Sequence, residues 1–269
     1  MIGETKESEI IQVKKHFISA YADDFFLDIY RVYQFIARFF KEVRSSPFEW
    51  KEFINQCYQV GAKSLPLVSL TGFITGIVFT KQSRPSLVSF GATSWLPSLM
   101  AIAIIRALAP LVTALITAGK VGSNMGAELG SMNVTEQIDA MEVSATNPFK
   151  FLVVTRILAS SLMTPVLILY TCCIGMLGAF IDIHANELTS FRAYFKVAFS
   201  GITYLDILAA ITKATGYGFT IGVAGCFQGY NAQNGTQGVG KAANRAVVLS
   251  MFFIFMEEMI IVQIFNGLK

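Results

Sequence analysis

Arg106, Asp206, Lys213, Glu257 and Glu258 all fall within long apolar runs. A charge in such a run is costly against hydrocarbon and marks an ion pair, a ligand path or a proton relay. Arg106 therefore faces a cavity, a subunit interface or an acid. Glu257 and Glu258 are adjacent, about 100° apart on a helix, so they serve poorly as a general acid–base pair. One is expected to pair with Arg106 or Lys213 and the other to snorkel outward. Asp206 and Lys213 share a helix face about 10 Å apart along the axis, which favours ion pairing or cavity lining over catalysis. Gly235–Lys241, GTQGVGK, matches the G-x-x-x-x-G-K portion of a phosphate-binding loop. Ala242 stands where a magnesium-binding hydroxyl is needed and the preceding segment is an apolar run, so a flexible turn is expected there, and nucleotide hydrolysis falls to another chain. Cys57, Cys172, Cys173 and Cys226 form no C-x-x-C, and His16 and His184 are the only histidines. No metal site is expected, and the thiols are expected to be free.

The elements that must position these groups follow from composition. The chain has 269 residues, 54% hydrophobic and 14% charged, against about 25% charged in an ordinary soluble domain. Apolar stretches near the roughly 20 residues that cross a bilayer recur, without the ten-residue alternation of a barrel. The fold class is all-α: a polytopic membrane protein. Five spans are expected, at about Leu65–Thr80, Trp95–Ala118, Phe149–Ile183, Tyr204–Phe227 and Ala246–Phe265. The net charge of +3 gives no reason to expect a nucleic-acid partner. Residues 1–16 read as a solvated tail. From Phe17 to about Tyr58 the pattern is helical, with Phe25, Ile29, Val32, Ile36 and Phe39 in an apolar stripe flanked by Arg31, Arg38, Lys41 and Arg44. That pattern fits an amphipathic helix lying at a membrane interface. The division expected is residues 1–62 as tail and interfacial helix, and 63–269 as the five-span domain.

Placing the N-terminus in the cytoplasm leaves only Lys81, Arg84, Arg192, Lys196 and the terminal Lys269 on the outer side. The positive-inside rule then puts residues 118–150 in the cytoplasm and the C-terminus outside. The outer loop Lys81–Trp95 carries Leu87, Val88, Phe90 and Trp95, either under a partner, at a cavity mouth, or as interfacial anchors. Glycines at Gly72/Gly76, Gly122/Gly126/Gly130 and Gly218/Gly222 allow close helix approach. Packing within the chain is the default and a homodimer seam the alternative.

Residues 118–151, AGKVGSNMGAELGSMNVTEQIDAMEVSATNPFKF, are small, polar and helical in pattern. Asn133 with Glu136 reads as an N-cap and its capping-box acid. Val134, Ile138 and Met141 share one face, with Glu136, Asp139 and Glu142 around the rest. Asn147-Pro148 breaks the helix and starts the next. A short amphipathic helix between two spans suits docking to a soluble partner.

This segment resembles the signature of the MlaE/YrbE permease family, the membrane subunits of ABC transporters that move lipids with MCE-domain partners. Ala118, Gly119, Gly122, Ala127, Glu128, Gly130, Met132, Thr135, Glu136, Gln137, Asp139, Ala140, Asn147 and Pro148 match its pattern. The likeness extends to Arg106–Pro110 (RALAP, for RELGP), Gln228-Gly229-Tyr230 and Val239–Ala242. Two departures stand out. Ala107 replaces the usual acid, so charge pairing for Arg106 must come from elsewhere, and Lys120 replaces the common arginine. The resemblance implies that residues 133–143 form a cytoplasmic coupling helix seated in an ATPase, with Val134, Thr135, Glu136, Gln137, Ile138, Asp139, Met141 and Glu142 as its contacts. It implies a homodimeric permease in a bacterial inner membrane, moving phospholipid or related lipid to or from periplasmic MCE proteins. Phe79, Leu87, Phe90, Arg106 and Glu258 are the candidate lipid path. No cofactor is expected on this chain, with ATP and Mg held by the partner. A membrane-embedded lipid-processing enzyme and a non-transporting scaffold are the rival readings.

Overall fold

The computed structural model describes residues 26–233 and 235–267. The tail expected over 1–16, the start of the amphipathic stretch through Phe25, and Lys269 lie outside them. Internal contacts divide the chain into Met1–Pro47 and Phe48–Lys269. In the first unit, helix α1 covers residues 26–43. It exposes Phe26, Tyr30, Tyr33 and Phe40 and pairs Arg31 with Asp28 at 3.3 Å. Over its described part, from residue 26, the single helical stretch expected from Phe17 to Tyr58 is two helices, because α1 ends before a non-helical segment through Pro47, whose ring cannot donate a helix hydrogen bond.

The second unit is helical throughout its described elements. Helix α2 (Trp50–Val60) leads through a short 3₁₀ turn into α3 (Leu65–Ser89). Then α4 (Leu96–Ala103), α5 (Ala109–Thr117) and α6 (Ser123–Val134) follow, joined by π turns at Ile104–Leu108 and Ala118–Gly122. Helix α7 (Gln137–Val143) precedes a third π turn, Phe149–Val154, and α8 (Thr155–Glu187). The order closes with α9 (Phe191–Ser200), α10 (Tyr204–Tyr230) and α11 (Gly235–Gly267). Among the described residues, five helical stretches are long and apolar enough to cross a bilayer: Trp50–Ser89, Thr93–Val134, Phe149–Glu187, Tyr204–Tyr230 and Gly235–Gly267. Each extends beyond its expected bounds at one end or both. The outer loop expected at Lys81–Trp95 shrinks, since α3 continues to Ser89 with Pro85 in its last turns. Gly235–Lys241 is the start of α11, a helix rather than the expected turn, so it lacks the looped backbone that cradles phosphate.

Helix α8 is the centre of the bundle, packing on α2, α3, α5 and α10. In its most apolar window 56% of residues are buried, against 11% in α11, so α11 is the peripheral span. Without a hydrophobic drive between helices in lipid, close approach and shared hydrogen bonds must hold the bundle. A side-chain carbon at Gly76 would stand 2.1 Å from the carbonyl oxygen of Gly175, and one at Gly218 would stand 2.4 Å from that of Ser160. Gly126 and Gly130 meet α11 and Ala232 in the same way. All three glycine runs are thus used within the chain. Hydroxyls add bonds between helices: Thr113 of α5 donates to Thr171 of α8 at 2.7 Å, and Ser160 to the Gly218 carbonyl at 2.7 Å across the α8–α10 seam.

The contrast between Gly76 and the open helical Gly240, which has no atom near its added carbon, is testable. Gly76→Ala is expected to lower the melting temperature of the detergent-solubilised protein, by an overpacking cost of about 1–3 kcal/mol. Gly240→Ala is expected to leave it unchanged or raise it slightly, as helix propensity gains up to about 1 kcal/mol. Equal shifts for both would show that the α3–α8 seam is not held by this contact.

Candidate functional site

Of Arg106, Asp206, Lys213, Glu257 and Glu258, four meet in one network. Arg106 lies in the π turn Ile104–Leu108, and its Nη2 donates to Asp206 Oδ2 at 2.7 Å. Asp206 is also the capping-box acid of α10: the Thr203 N–H donates to Asp206 Oδ2 at 2.9 Å. The carboxylate is 3% exposed. Lys213 lies two turns along α10, equally buried, and its Nζ donates to Glu258 Oε1 at 2.6 Å and to the Arg106 carbonyl at 3.1 Å. That carbonyl is available for a reason in the sequence. Pro110, four residues on, has no N–H to donate to it. Tyr217 donates its hydroxyl to the other oxygen of Glu258. Thr220 donates to Glu257, which stays within the bundle rather than snorkelling outward.

The acid missing at Ala107 is thus supplied by Asp206, from the fourth span. Asp206 and Lys213 share a face but are bound to different partners. The network joins the second, fourth and fifth spans and has both charge signs paired, which is the only cheap way to keep them from water. It can hold three helices in register, or exchange partners if an anionic group enters beside the half-exposed Arg106. Both carboxylates of the Glu257–Glu258 pair are engaged by hydroxyl or ammonium donors, which suits structure better than proton transfer.

The other three candidate lipid-path residues are not drawn into this network. Phe79 and Leu87 pack against the apolar core around Ile104, Met176 and Tyr217. Phe90 is 83% exposed just beyond α3. Near that end, α9 is an amphipathic helix that the span pattern did not reveal. Tyr194 and Ala198 are its buried face, while Phe191 and Phe199 are exposed. Its signal, present in FRAYFKVAF, was short and flanked by stronger apolar runs.

At the opposite end of the second span, α6 continues into α7. Asn133 does not cap α7; it lies inside α6, and its Nδ2 donates to the Ala232 carbonyl at 2.8 Å. Glu136 takes the N-cap position instead, in a left-handed conformation (φ 58°) with no side-chain cap bond. The expected capping box is absent because α6 runs on through Asn133 to Val134, which moves the N-cap of α7 three residues along to Glu136. Thr135, Glu136, Gln137, Asp139 and Glu142 are exposed. Val134 and Met141 are half-buried. Ile138 is 3% exposed and anchors α7 to its own chain. Val143, 90% exposed, is the apolar group left facing outward. The Asn147-Pro148 break forms as expected: Asn147 Oδ1 accepts the Lys150 N–H at 3.2 Å, starting the third span.

Two further ion pairs, each with one buried member, escaped the sequence. Arg156, 2% exposed, donates to the Leu152 carbonyl and pairs with Glu128 at 2.9 Å. Arg84 pairs with Asp182 at 2.9 Å, tying the end of α3 to α8. Neither partner lies within helical reach of its arginine along the chain, so spacing gives no sign of either pair.

Comparison with known proteins agrees with this geometry. A family described as Permease MlaE matches residues 53–264. A probable ABC transporter permease protein of Rickettsia prowazekii is 33% identical over 238 residues, covering 88% of this chain and 91% of that protein. One from Synechocystis is 34% identical over 206 residues, covering 76% and 78%. The chloroplastic protein trigalactosyldiacylglycerol 1 of Arabidopsis thaliana is 31% identical over 216 residues, covering 80% of this chain and 62% of its own length. With five apolar helices, a paired intramembrane charge network and that match across most of its length, the chain belongs to the MlaE permease family, as a multi-pass membrane permease of the ABC transporter type.

Proposed function

We propose that this permease moves phospholipid or a related lipid between the bacterial cytoplasmic membrane and periplasmic MCE-domain proteins, as a homodimer driven by a separate cytoplasmic ATPase. The observation that carries the proposal is the α6–α7 arm: a second span, helical from Thr93 to Val134, that turns at Glu136 into a tethered, exposed acidic helix. Ile138 holds α7 to the body, while Glu136, Asp139, Glu142 and Val143 are left for a partner. A push on α7 is carried along α6 and α5 toward the π turn that holds Arg106. Such turns are frequent at functional sites, and a shift there alters the Arg106–Asp206 pairing. The helical start of α11, where the G-x-x-x-x-G-K match falls, supports a reading in which ATP and Mg are held by the partner.

The lipid assignment is supported by the family and by the name of the Arabidopsis relative, which refers to a diacylglycerol glycolipid. Arg106, half-exposed beside a buried acid, is suited to meet an anionic headgroup. The basic residues of the α7 end support a cytoplasmic location for it by the positive-inside rule, which goes with an N-terminus inside and a C-terminus outside.

Two measurements test the proposal. With the ATPase co-reconstituted, Glu136→Lys/Asp139→Lys is expected to reduce ATP-dependent lipid transfer about tenfold, because reversing charge at a docking rim opposes association. Surface lysines leave the melting temperature alone, and unchanged transfer would remove the coupling role. Arg106→Gln is expected to lower transfer by a similar factor, roughly the 1.4 kcal/mol of one charge-assisted hydrogen bond, with Arg106→Lys intermediate. Full transfer and ATPase stimulation in Arg106→Gln would remove Arg106 from the lipid path.

A further inference from the structure

At the α7 end of the bundle, α2, α6 and the start of the third span enclose an open cleft of about 550 Å³. Its charged walls are Glu52, Lys63, Lys120, Glu128 and Arg156. Both acids have partners. Glu52 accepts from Gln56 at 2.6 Å and Asn55 at 3.4 Å, and Glu128 is held by Arg156 at 2.9 Å. Among the described residues, Lys63 and Lys120 have no acid within ion-pair distance. Lys120 Nζ donates to the Lys63 carbonyl, which brings its ammonium beside the second lysine, and the two repel one another. Arg156 supplies a third cation to the lining, and its Nε, buried, has no hydrogen-bond partner in the bundle. Like charges left adjacent, with an unfilled guanidinium donor behind them, form a site for an anion.

The depth of the cleft identifies the source of the anion. Trp50, Ile54 and Tyr58 form an exposed stripe on one face of α2 at i, i+4, i+8, while Glu52, Gln56 and Gln59 line the cleft from the other. Trp and Tyr concentrate at headgroup level, so α2 is an interfacial helix whose polar side walls the cleft at the height of lipid phosphates. Val60, Met125, Met132 and Leu152 complete the wall with apolar surface for the glycerol end. We infer that this cleft binds the phosphate headgroup of an anionic lipid from the leaflet on the α7 side, with Lys63 and Lys120 on the phosphate and Arg156 behind them. The site is separate from the Arg106 network and depends on the permease lying in a bilayer, not on lipid being its cargo.

The test uses the full chain in nanodiscs of phosphatidylcholine. Native mass spectrometry would count retained lipid after titration with dioctanoyl phosphatidylglycerol or dioctanoyl phosphatidylcholine, with and without inorganic phosphate. Preferential retention of phosphatidylglycerol is expected. Lys63→Gln/Lys120→Gln should weaken it roughly tenfold or more, the scale of one to two charge-assisted contacts. Lys120→Arg should retain it. Lys63 is exposed, so Lys63→Gln alone reads the effect in a folded protein if the double variant is unstable. Equal retention of both lipids, or no loss in the lysine variants, overturns the site. Displacement of phosphatidylglycerol by millimolar inorganic phosphate would make it a free-anion site instead and overturn the lipid assignment. Because the readout is retention without ATP, loss of transport in the co-reconstituted system and loss of this binding can be told apart.

Discussion

A bilayer offers no water to a stranded charge, and that constraint organises the interior of this protein. Asp206 and Lys213 are each 3% exposed. Removing one partner of such a pair leaves the other buried and uncompensated, which costs several kcal/mol where both partners are buried. The half-exposed Arg106 lessens that figure for its own pair. The Lys213–Glu258 pair, with Glu258 also bonded by Tyr217, is the more deeply held of the two. Three spans therefore share one electrostatic condition, and none can rotate far without breaking it.

The backbone has been adapted to meet that condition. Pro110 cannot donate to the Arg106 carbonyl, and Lys213 uses that oxygen at 3.1 Å. The π turn at Ile104–Leu108 widens the helix just before the proline. A straight α-helix through Pro110 would instead clash with that carbonyl. One proline thus introduces a defect, a free acceptor and a cation's second contact at the same place. The π turns at Ala118–Gly122 and Phe149–Val154 flank the α6–α7 arm. The arm is fixed between them by glycine contacts with α11 and Ala232, so it moves with its neighbours rather than alone.

Much of this was legible from residue types. The existence of five spans follows from apolar length alone, and the Asn147-Pro148 start of the third span follows from chemistry local to two residues. Arg106 and Lys213 announced themselves as charges without a nearby answer. What spacing could not supply was the answer: Asp206 lies 100 residues from Arg106 and Glu258 lies 45 from Lys213. The capping box at Asn133 failed for a related reason. Asn133 has a tertiary acceptor in Ala232, and a tertiary hydrogen bond displaced a local one of comparable strength. Ile138 was assigned to a partner because an amphipathic helix does not say which surface its apolar face will find. Arg156 was hidden by its position at a span end, where a cation is ordinarily an anchor in the headgroups rather than a buried group.

The two ends of the second span differ in how they treat charge, and the difference has a physical origin. Near Arg106, Asp206 and Lys213 each have an oppositely charged partner, since desolvation around them is nearly complete. At Lys120, the walls are open and polar, and α2 stands off from α6 far enough to leave a cleft. A lysine pair is tolerable there because water or a headgroup can compensate it, whereas the same pair at the depth of Lys213 would neutralise or unfold the helix. The glycine seams make this separation possible. By letting α3, α8 and α10 approach to backbone contact in the bundle's middle, they concentrate the packing there, so the α2 end need not close to hold the protein together. An opening on that side then follows from where the small residues lie, not from a missing contact.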